Sequence, residues 1–157
     1  MPFEVQSMID SLKRKGGGYD VFSTTLETMG YFEENLDRVR AAKLLNLVDT
    51  DDTAATRVNL TPVGMLFARS NQRLRKIQWR EQLLTWPFFV EFVRFMEAQP
   101  KRRASQKEVE AFLKDRIKGN KTEEAFKTIV EWGRFGSVLI YDQGLQRIRL
   151  SRGPKLT

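Results

Sequence analysis

The apolar positions of the chain fall into short periodic runs separated by glycine, proline and acidic residues. Between Glu4 and Lys15, Val5, Met8, Ile9 and Leu12 recur at the spacing of one helix face. Lys13-Arg14-Lys15 suits the negative end of that helix, and Gly16-Gly17-Gly18 stops it. Asp20 can cap a second helix running to about Met29, with Phe22 and Leu26 inward and Gly30 as its stop. A third helix is expected from about Phe32 to Leu45, with Leu36, Val39 and Leu44 on its inner face. Leu47-Val48 starts a strand, Asp49-Thr50-Asp51-Asp52 turns, and Arg57-Val58-Asn59-Leu60 returns. At Leu60 the β-prone run meets Thr61, which can cap a helix, and Pro62, whose missing amide is harmless in a first helical turn.

From Pro62 the helical pattern runs to about Leu84. Arg69, Arg73, Lys76 and Arg80 fall on one stripe of that helix, and Leu66, Leu74, Ile77 and Leu84 on an adjacent one. Trp79 is placed on the opposite side, as core or as contact surface. Thr85-Trp86-Pro87 breaks the pattern, and Pro87 opens a new helix. Its Phe88, Phe89, Phe92, Val93, Phe95 and Met96 are apolar nearly all round, which marks the centre of a second core ahead of a ligand pocket. Gln99-Pro100-Lys101-Arg102-Arg103 reads as a loop and is the densest basic cluster. Ser105 followed by Glu108 matches a capping box, opening a helix that buries Val109, Phe112, Leu113 and Ile117 and stops at Gly119-Asn120. The next helix, about Thr122 to Trp132, buries Phe126, Ile129 and Val130, with Gly133 as its stop. Val138 to Tyr141 is a strand, Asp142-Gln143-Gly144 a turn, and Leu145 to Leu150 the return. In that return Ile148 and Leu150 share one face and Arg147 and Arg149 the other, and the tail from Ser151 is expected to be loose.

Three helices and a two-stranded wing make the first half a winged helix-turn-helix pattern. The second half repeats the order of helices and hairpin without a residue-level repeat. The expected fold is therefore mainly α with small β-hairpins, an α+β class. It would comprise two tandem winged-helix-like units, 1–70 and 71–157, joined by the long helix from Pro62.

Composition narrows the chemistry. Of 157 residues, 41% are hydrophobic and 30% charged, a balance that folds rather than staying disordered. Eleven Phe and 3 Trp supply large buried area from few side chains. The absence of Cys and His removes disulfides, thiolate nucleophiles, zinc sites of the usual ligand types and histidine general bases. Glu33 and Glu34 are adjacent and point to different sides of a helix, a poor acid/base pair. The triple glycine follows a helix and lacks the phosphate-loop pattern. No enzyme activity and no cofactor is expected. No signal peptide and no bilayer-spanning run is seen, so a cytoplasmic protein without membrane insertion is expected.

The net charge of +7 and pI of about 9.9 invite a nucleic-acid reading. Its distribution weakens the invitation. Residues 1–70 hold 8 Lys/Arg against 10 Asp/Glu, and 71–157 hold 19 against 10. A DNA-reading third helix would enter the groove by its N-terminal end, which carries Glu33, Glu34 and Asp37, beside a wing tip with Asp49, Asp51 and Asp52. Arg38, Arg40 and Lys43 come only later. Protein–protein contact is favoured over nucleic acid for that face. The plain reading of the Arg69, Arg73, Lys76, Arg80 stripe is a solvated helix edge. As a functional site it would, with Lys101, Arg102 and Arg103, dock an acidic partner or a phosphate backbone. Exposed apolar surface in the first half is compatible with a homodimer.

Three stretches together point to a family. They are Leu60-Thr61-Pro62-Val63-Gly64 with Phe67, then Arg75-Lys76-Ile77 through Gln82-Leu83-Leu84, then Thr128 to Phe135 followed by Tyr141-Asp142. Over roughly residues 5–150 the chain resembles the AAA-associated C-terminal domain found behind the ATPase subunit of nitrate/sulfonate/bicarbonate-type ABC transporters. Its Trp132-Gly133-Arg134-Phe135 motif is the more specific part. The resemblance implies a regulatory or interaction domain, partnered with the ATPase or another transporter component. It implies no catalytic residues. The chain has no Walker motif and no ABC signature, so ATP binding is not carried over. Physically, Gly133 would let the chain leave its helix in a left-handed conformation, with Trp132 and Phe135 flanking the junction and Arg134 reaching a carbonyl or carboxylate.

Overall fold

The computed structural model describes residues 2–14, 18–19, 32–50 and 58–152. The helix expected from Asp20, the wing-tip residues Asp51 and Asp52, the side chains of Glu33, Glu34 and Leu36, and the tail from Gly153 lie outside the described residues. The chain divides into two compact units, Met1–Arg75 and Lys76–Thr157.

In the first unit, helix α1 (Pro2–Arg14) buries Val5, Gln6, Ile9 and Leu12. It packs on α2 (Phe32–Leu44), on β3 (Val58–Leu60) and on α3 (Pro62–Arg69). Leu44 does not face the core as expected: it is 48% exposed, and Leu45 is buried in its place. The helix has ended there. Asn46 sits at φ 56°, and the amides of Asn46 and Leu47 return to the carbonyls of Lys43 and Ala42. That left-handed closure satisfies two orphan helix carbonyls.

Strand β2 (Val48–Thr50) pairs antiparallel with β3, Asp49 opposite Asn59, and β1 (Gly18–Tyr19) adds to the other side of β3. Thr61 joins this sheet to α3 through three bonds. Its amide donates to Leu47 O, its hydroxyl donates to Asn46 O at 2.5 Å, and the same oxygen accepts from Gly64 N at 2.9 Å. Gly64 is required by the closeness of this junction. A Cβ there would lie 1.8 Å from the Leu47 carbonyl oxygen.

The continuous helix expected from Pro62 to about Leu84 is two helices, α3 and α4 (Gln72–Leu83). Ser70 is extended (φ −86°, ψ 151°), its hydroxyl donates to Leu66 O, and Asn71 Oδ1 accepts the amide of Leu74. Two short polar side chains thus offer the backbone local partners in place of helical ones. The break resets the helical phase. Leu66 and Leu74 are 58% and 47% exposed, whereas Phe67, Ala68 and Arg75 are buried.

In the second unit, Trp79 and Leu83 of α4 are fully buried against a core that includes Phe89, Phe92, Val93 and Met96 of α5 (Pro87–Ala98). A 3-10 turn (Pro100–Arg102) leads into β4 (Arg103–Ser105), where only a loop is expected from the sequence. Then come α6 (Gln106–Lys114), α7 (Thr122–Phe135), β5 (Leu139–Asp142) and β6 (Arg147–Leu150). Helix α6 ends before Gly119, with the amides of Arg116 and Ile117 both returning to Leu113 O. The sheet order is β4-β6-β5, matching β1-β3-β2 in the first unit: in each, the last strand lies in the middle. The mainly helical α+β class expected from the sequence is the observed one. No helix among the described residues is long and apolar enough to cross a membrane.

Trp132-Gly133-Arg134-Phe135 behaves differently from its sequence reading. Gly133 does not end the helix: α7 continues to Phe135, and Gly136 caps it. The lack of a side chain at Gly133 serves packing. A Cβ there would lie 2.5 Å from Leu139 Cδ2, so the glycine lets β5 seat directly on α7. Trp132 and Phe135 both meet the ring of Trp79, at 5.7 and 5.0 Å. Arg134 is exposed, and its guanidinium has no hydrogen bond or ion pair among the described residues, so it reaches none of their carbonyls or carboxylates.

The capping box of α6 is present as its sequence indicates. Ser105 N donates to Glu108 Oε2 at 2.7 Å, and Glu108 N to Ser105 Oγ at 3.2 Å. The backbone amide of Ser105 first, then its hydroxyl, with the charge of Arg147 adding, hold the Glu108 carboxyl below the usual glutamate range. A depressed carboxylate stabilises the fold above its unfolded pKa, and that contribution is lost as pH falls through the folded value. An NMR pH titration of the Glu108 side chain should therefore give a midpoint below the free value of about 4.3. A midpoint at or above that value would contradict the cap.

Candidate docking surface

Alternation along β6 buries Ile148 and Leu150 and turns Arg147 and Arg149 outward. Along β4 it buries Ala104 and exposes Arg103. The register sets Arg103 directly opposite Arg149, with Ile140 of β5 on the other side of Arg149. The next row of this face is Ser105, Arg147 and Asp142. Ile140 is 42% exposed and Leu145, in the β5–β6 turn, 65%. A shallow groove of about 310 Å³ runs over this face, between the arginines and the two apolar side chains.

The charge on this face is unbalanced. No described carboxylate forms an ion pair with Arg103, Arg147 or Arg149. Asp142 is occupied by its own turn, where Oδ1 accepts the amide of Leu145 at 3.1 Å. Like charges directly opposite in an antiparallel pair oppose the pairing, so Arg103 facing Arg149 costs the sheet stability. Lys101 and Arg102, both exposed, continue the positive charge into the turn before β4. Both hold φ 55°, a region that costs a non-glycine residue on the order of 1 kcal/mol. Arg102 has one distant partner, Glu97 at 4.0 Å. Among the described residues no group of acidic side chains is placed to hold a metal ion.

The structure treats the basic residues singled out in the sequence unequally. Lys101, Arg102 and Arg103 stand at the arginine face. Arg69, Arg73, Lys76 and Arg80 do not share one helical stripe, because the break at Ser70 and Asn71 separates Arg69 from the rest. Arg69 and Arg73 belong to the first unit, Lys76 and Arg80 to the second. Arg80 is half-buried, with its backbone against Gly136. Thr61, Pro62 and Gly64 form the sheet-to-helix junction of the first unit; in the second, Trp132 and Gly133 are buried and Phe135 is half-buried.

Sequence reasoning passed over Arg147 and Arg149 as site residues, although their alternation was visible. Their pairing with Arg103 was not. That contact joins segments some forty residues apart, and the three residues of β4 are too few to show a period of two. Arg75 was also missed, and its role is internal. Its Nε donates to Phe67 O and its Nη2 to Ala68 O, both at 3.0 Å, and its guanidinium forms a two-pronged pair with Asp10.

The model of a family described as the C-terminal AAA-associated domain matches residues 27–142, well over half of the chain. The span includes Arg103 and ends at Asp142, so Arg147 and Arg149 follow it. No curated protein and no solved structure matches the chain.

Proposed function

The chain belongs to the C-terminal AAA-associated domain family, and from that premise we propose that it is a non-catalytic regulatory or docking domain of an ABC-type transport ATPase of the nitrate/sulfonate/bicarbonate class. It acts in the cytoplasm and seats the arginine face of its second unit on an acidic surface of the ATPase or of another transporter component.

The observation that carries this reading is the set of three guanidiniums on one sheet face, none in an ion pair with a described residue and two of them directly opposed. A fold gains nothing from that arrangement by itself. An acidic partner would remove the repulsion and gain charge-assisted hydrogen bonds from arginines held on a rigid sheet. The apolar Ile140 and Leu145 beside them favour a protein surface, with acidic and apolar side chains interleaved, over a uniform phosphate backbone.

The test is co-purification of the tagged chain with ABC transporter subunits, compared with an Arg103→Glu/Arg149→Glu variant. The wild-type chain should recover an ATPase subunit, and the variant should lose at least about tenfold of that recovery. Both residues are exposed, so the variant should keep its fold. Failure to recover any transporter component would overturn the reading. Salt-sensitive binding of the wild-type chain to duplex DNA, abolished by the same variant, would replace it with a nucleic-acid function.

A further inference from the structure

The arginine face contains two unlike rows. Arg103, Arg149 and Ile140 stand side by side across β4, β6 and β5, and no carboxylate lies in that row. The neighbouring row is Ser105, Arg147 and Asp142, where Asp142 stands directly opposite Arg147. Arg147 also lies close enough to Glu108 for its charge to help keep that carboxyl ionised. The charge of Arg147 is therefore partly balanced from two sides. Arg103 and Arg149 have no such neighbour in their row, and neither forms an ion pair with a described residue. Lys101 and Arg102 precede Arg103 and add to the positive field from the turn.

Geometry and charge together define what this row would take. Directly opposed residues of an antiparallel pair hold their Cβ atoms about 4.5–5.5 Å apart on one face. Two guanidiniums rooted that closely can converge on one oxyanion, since each planar fork of N–H donors matches a pair of phosphate or carboxylate oxygens. The groove of about 310 Å³ is lined by three cations, Arg103, Arg147 and Arg149, against a single carboxylate, Asp142. Its uncompensated charge is therefore that of the counterion to a dianion. Exposed apolar surface of Ile140 and Leu145 lines the same groove. The volume is at the lower edge of the usual ligand range of about 300–1,000 Å³, enough for one anionic headgroup and one small apolar body.

We propose that Arg103 and Arg149 form a seat for a small organic dianion, a phosphate monoester of an apolar alcohol or its chemical equivalent. Both guanidiniums grip the anionic oxygens, Arg147 strengthens the field from the next row, and the apolar body packs on Ile140 and Leu145. An occupied seat covers the arginines that docking requires, so the ligand releases the domain from its acidic partner. That consequence rests on the docking reading above, whereas the seat itself stands without it.

Phenyl phosphate at about pH 7.5, where a phosphate monoester is dianionic, is the probe. Titrated into the purified ¹⁵N-labelled chain, it should shift backbone amides of β4, β5 and β6 saturably, with a dissociation constant on the order of a millimolar. Inorganic phosphate, which lacks the ring, should bind at least about threefold more weakly. Benzyl alcohol, which lacks the charge, should give no saturable shift at about 10 mM. Arg103→Gln/Arg149→Gln should weaken phenyl phosphate binding at least about tenfold. Arg69→Gln/Arg73→Gln, which removes the same charge from the first unit, should leave it within about twofold. All four residues are exposed, so both variants should keep their fold. No saturable shift of the sheet amides at about 10 mM phenyl phosphate would overturn the seat. So would equal affinity for inorganic phosphate, or equal weakening by the two variants, which would show only a general attraction of anions to a basic chain. Co-purification separates the seat from the docking reading: saturating phenyl phosphate should lower recovery of the ATPase subunit at least about tenfold. Unchanged recovery would overturn the release, whereas no recovery even without the ligand would overturn the docking reading and leave the seat to be judged by the titration.

Discussion

Arg75→Ala is expected to destabilise the first unit by about 3 kcal/mol, the lower end of what breaking a buried ion pair costs. Arg75 is 7% exposed and is the only cation among the described residues that is buried. Its guanidinium satisfies two backbone carbonyls, those of Phe67 and Ala68, at the C-terminal end of α3. It also reaches Gln6 Oε1 at 3.4 Å and Asp10, both on α1, and lies over the Phe67 ring. Truncation leaves the carbonyls and Gln6 without this donor. The Asp10 side chain is 45% exposed, so water takes over part of its share and holds the estimate at the low end. Arg75→Lys should rescue little, because one ammonium cannot reproduce the planar fork. Urea unfolding, with hydrogen exchange read at α1 and α3 amides, checks this. A loss below about 1 kcal/mol would show that the network contributes little net stability.

Trp79→Ala should cost the second unit about 4 kcal/mol, within the range for large aromatic truncations in a core. Trp79 is fully buried. It loses edge-on contacts with Trp132 and Phe135, and the hydrogen bond from its Nε1 to Trp132 O. For a domain whose total stability is typically about 5–15 kcal/mol, that is a large fraction. Trp79→Phe should recover part of the ring packing but not the hydrogen bond, and fall between the two. Hydrogen exchange at α7 and β5 amides, read alongside the urea midpoint, locates the effect. Protection lost mainly in α1 and α3 instead would contradict the placement of Trp79.

Local signals were legible where one residue type meets one backbone need. Thr61-Pro62, Pro87 and the Ser105–Glu108 pair start helices at the positions expected of them. The alternation of β6 set Ile148 and Leu150 on one face and Arg147 and Arg149 on the other, and the structure buries the first pair and exposes the second. The family motifs led to the family that the comparison then supported. The polar break at Ser70-Asn71 was also written in the chain, as two residues that compete for backbone bonds. It was masked by apolar spacing that continued across it, and the stripe built on that spacing lost its continuity.

Other features depend on partners distant in sequence. Strands β1 and β4 have two and three residues, and only pairing with β3 and β6 makes them strands. Gly133 looked like a helix stop because glycine often is one. Its actual constraint is the side chain of Leu139, which arrives from the following strand. Arg75 belonged by type to the solvated face, yet the carbonyls of α3 and the carboxylate on α1 take it inward.

The amino-acid sequence by itself determined most element types, most helix starts and the two-faced alternation of β6, because each rests on residues within a few positions of one another, and three short motifs pointed to the family. Among the described residues, the tertiary structure alone decided which arginine is buried, which three stand together on one sheet face without an ion pair, and which tryptophan is left without an acceptor for its N–H. Those outcomes depend on which distant groups are brought within hydrogen-bond or charge range, and no local pattern encodes that.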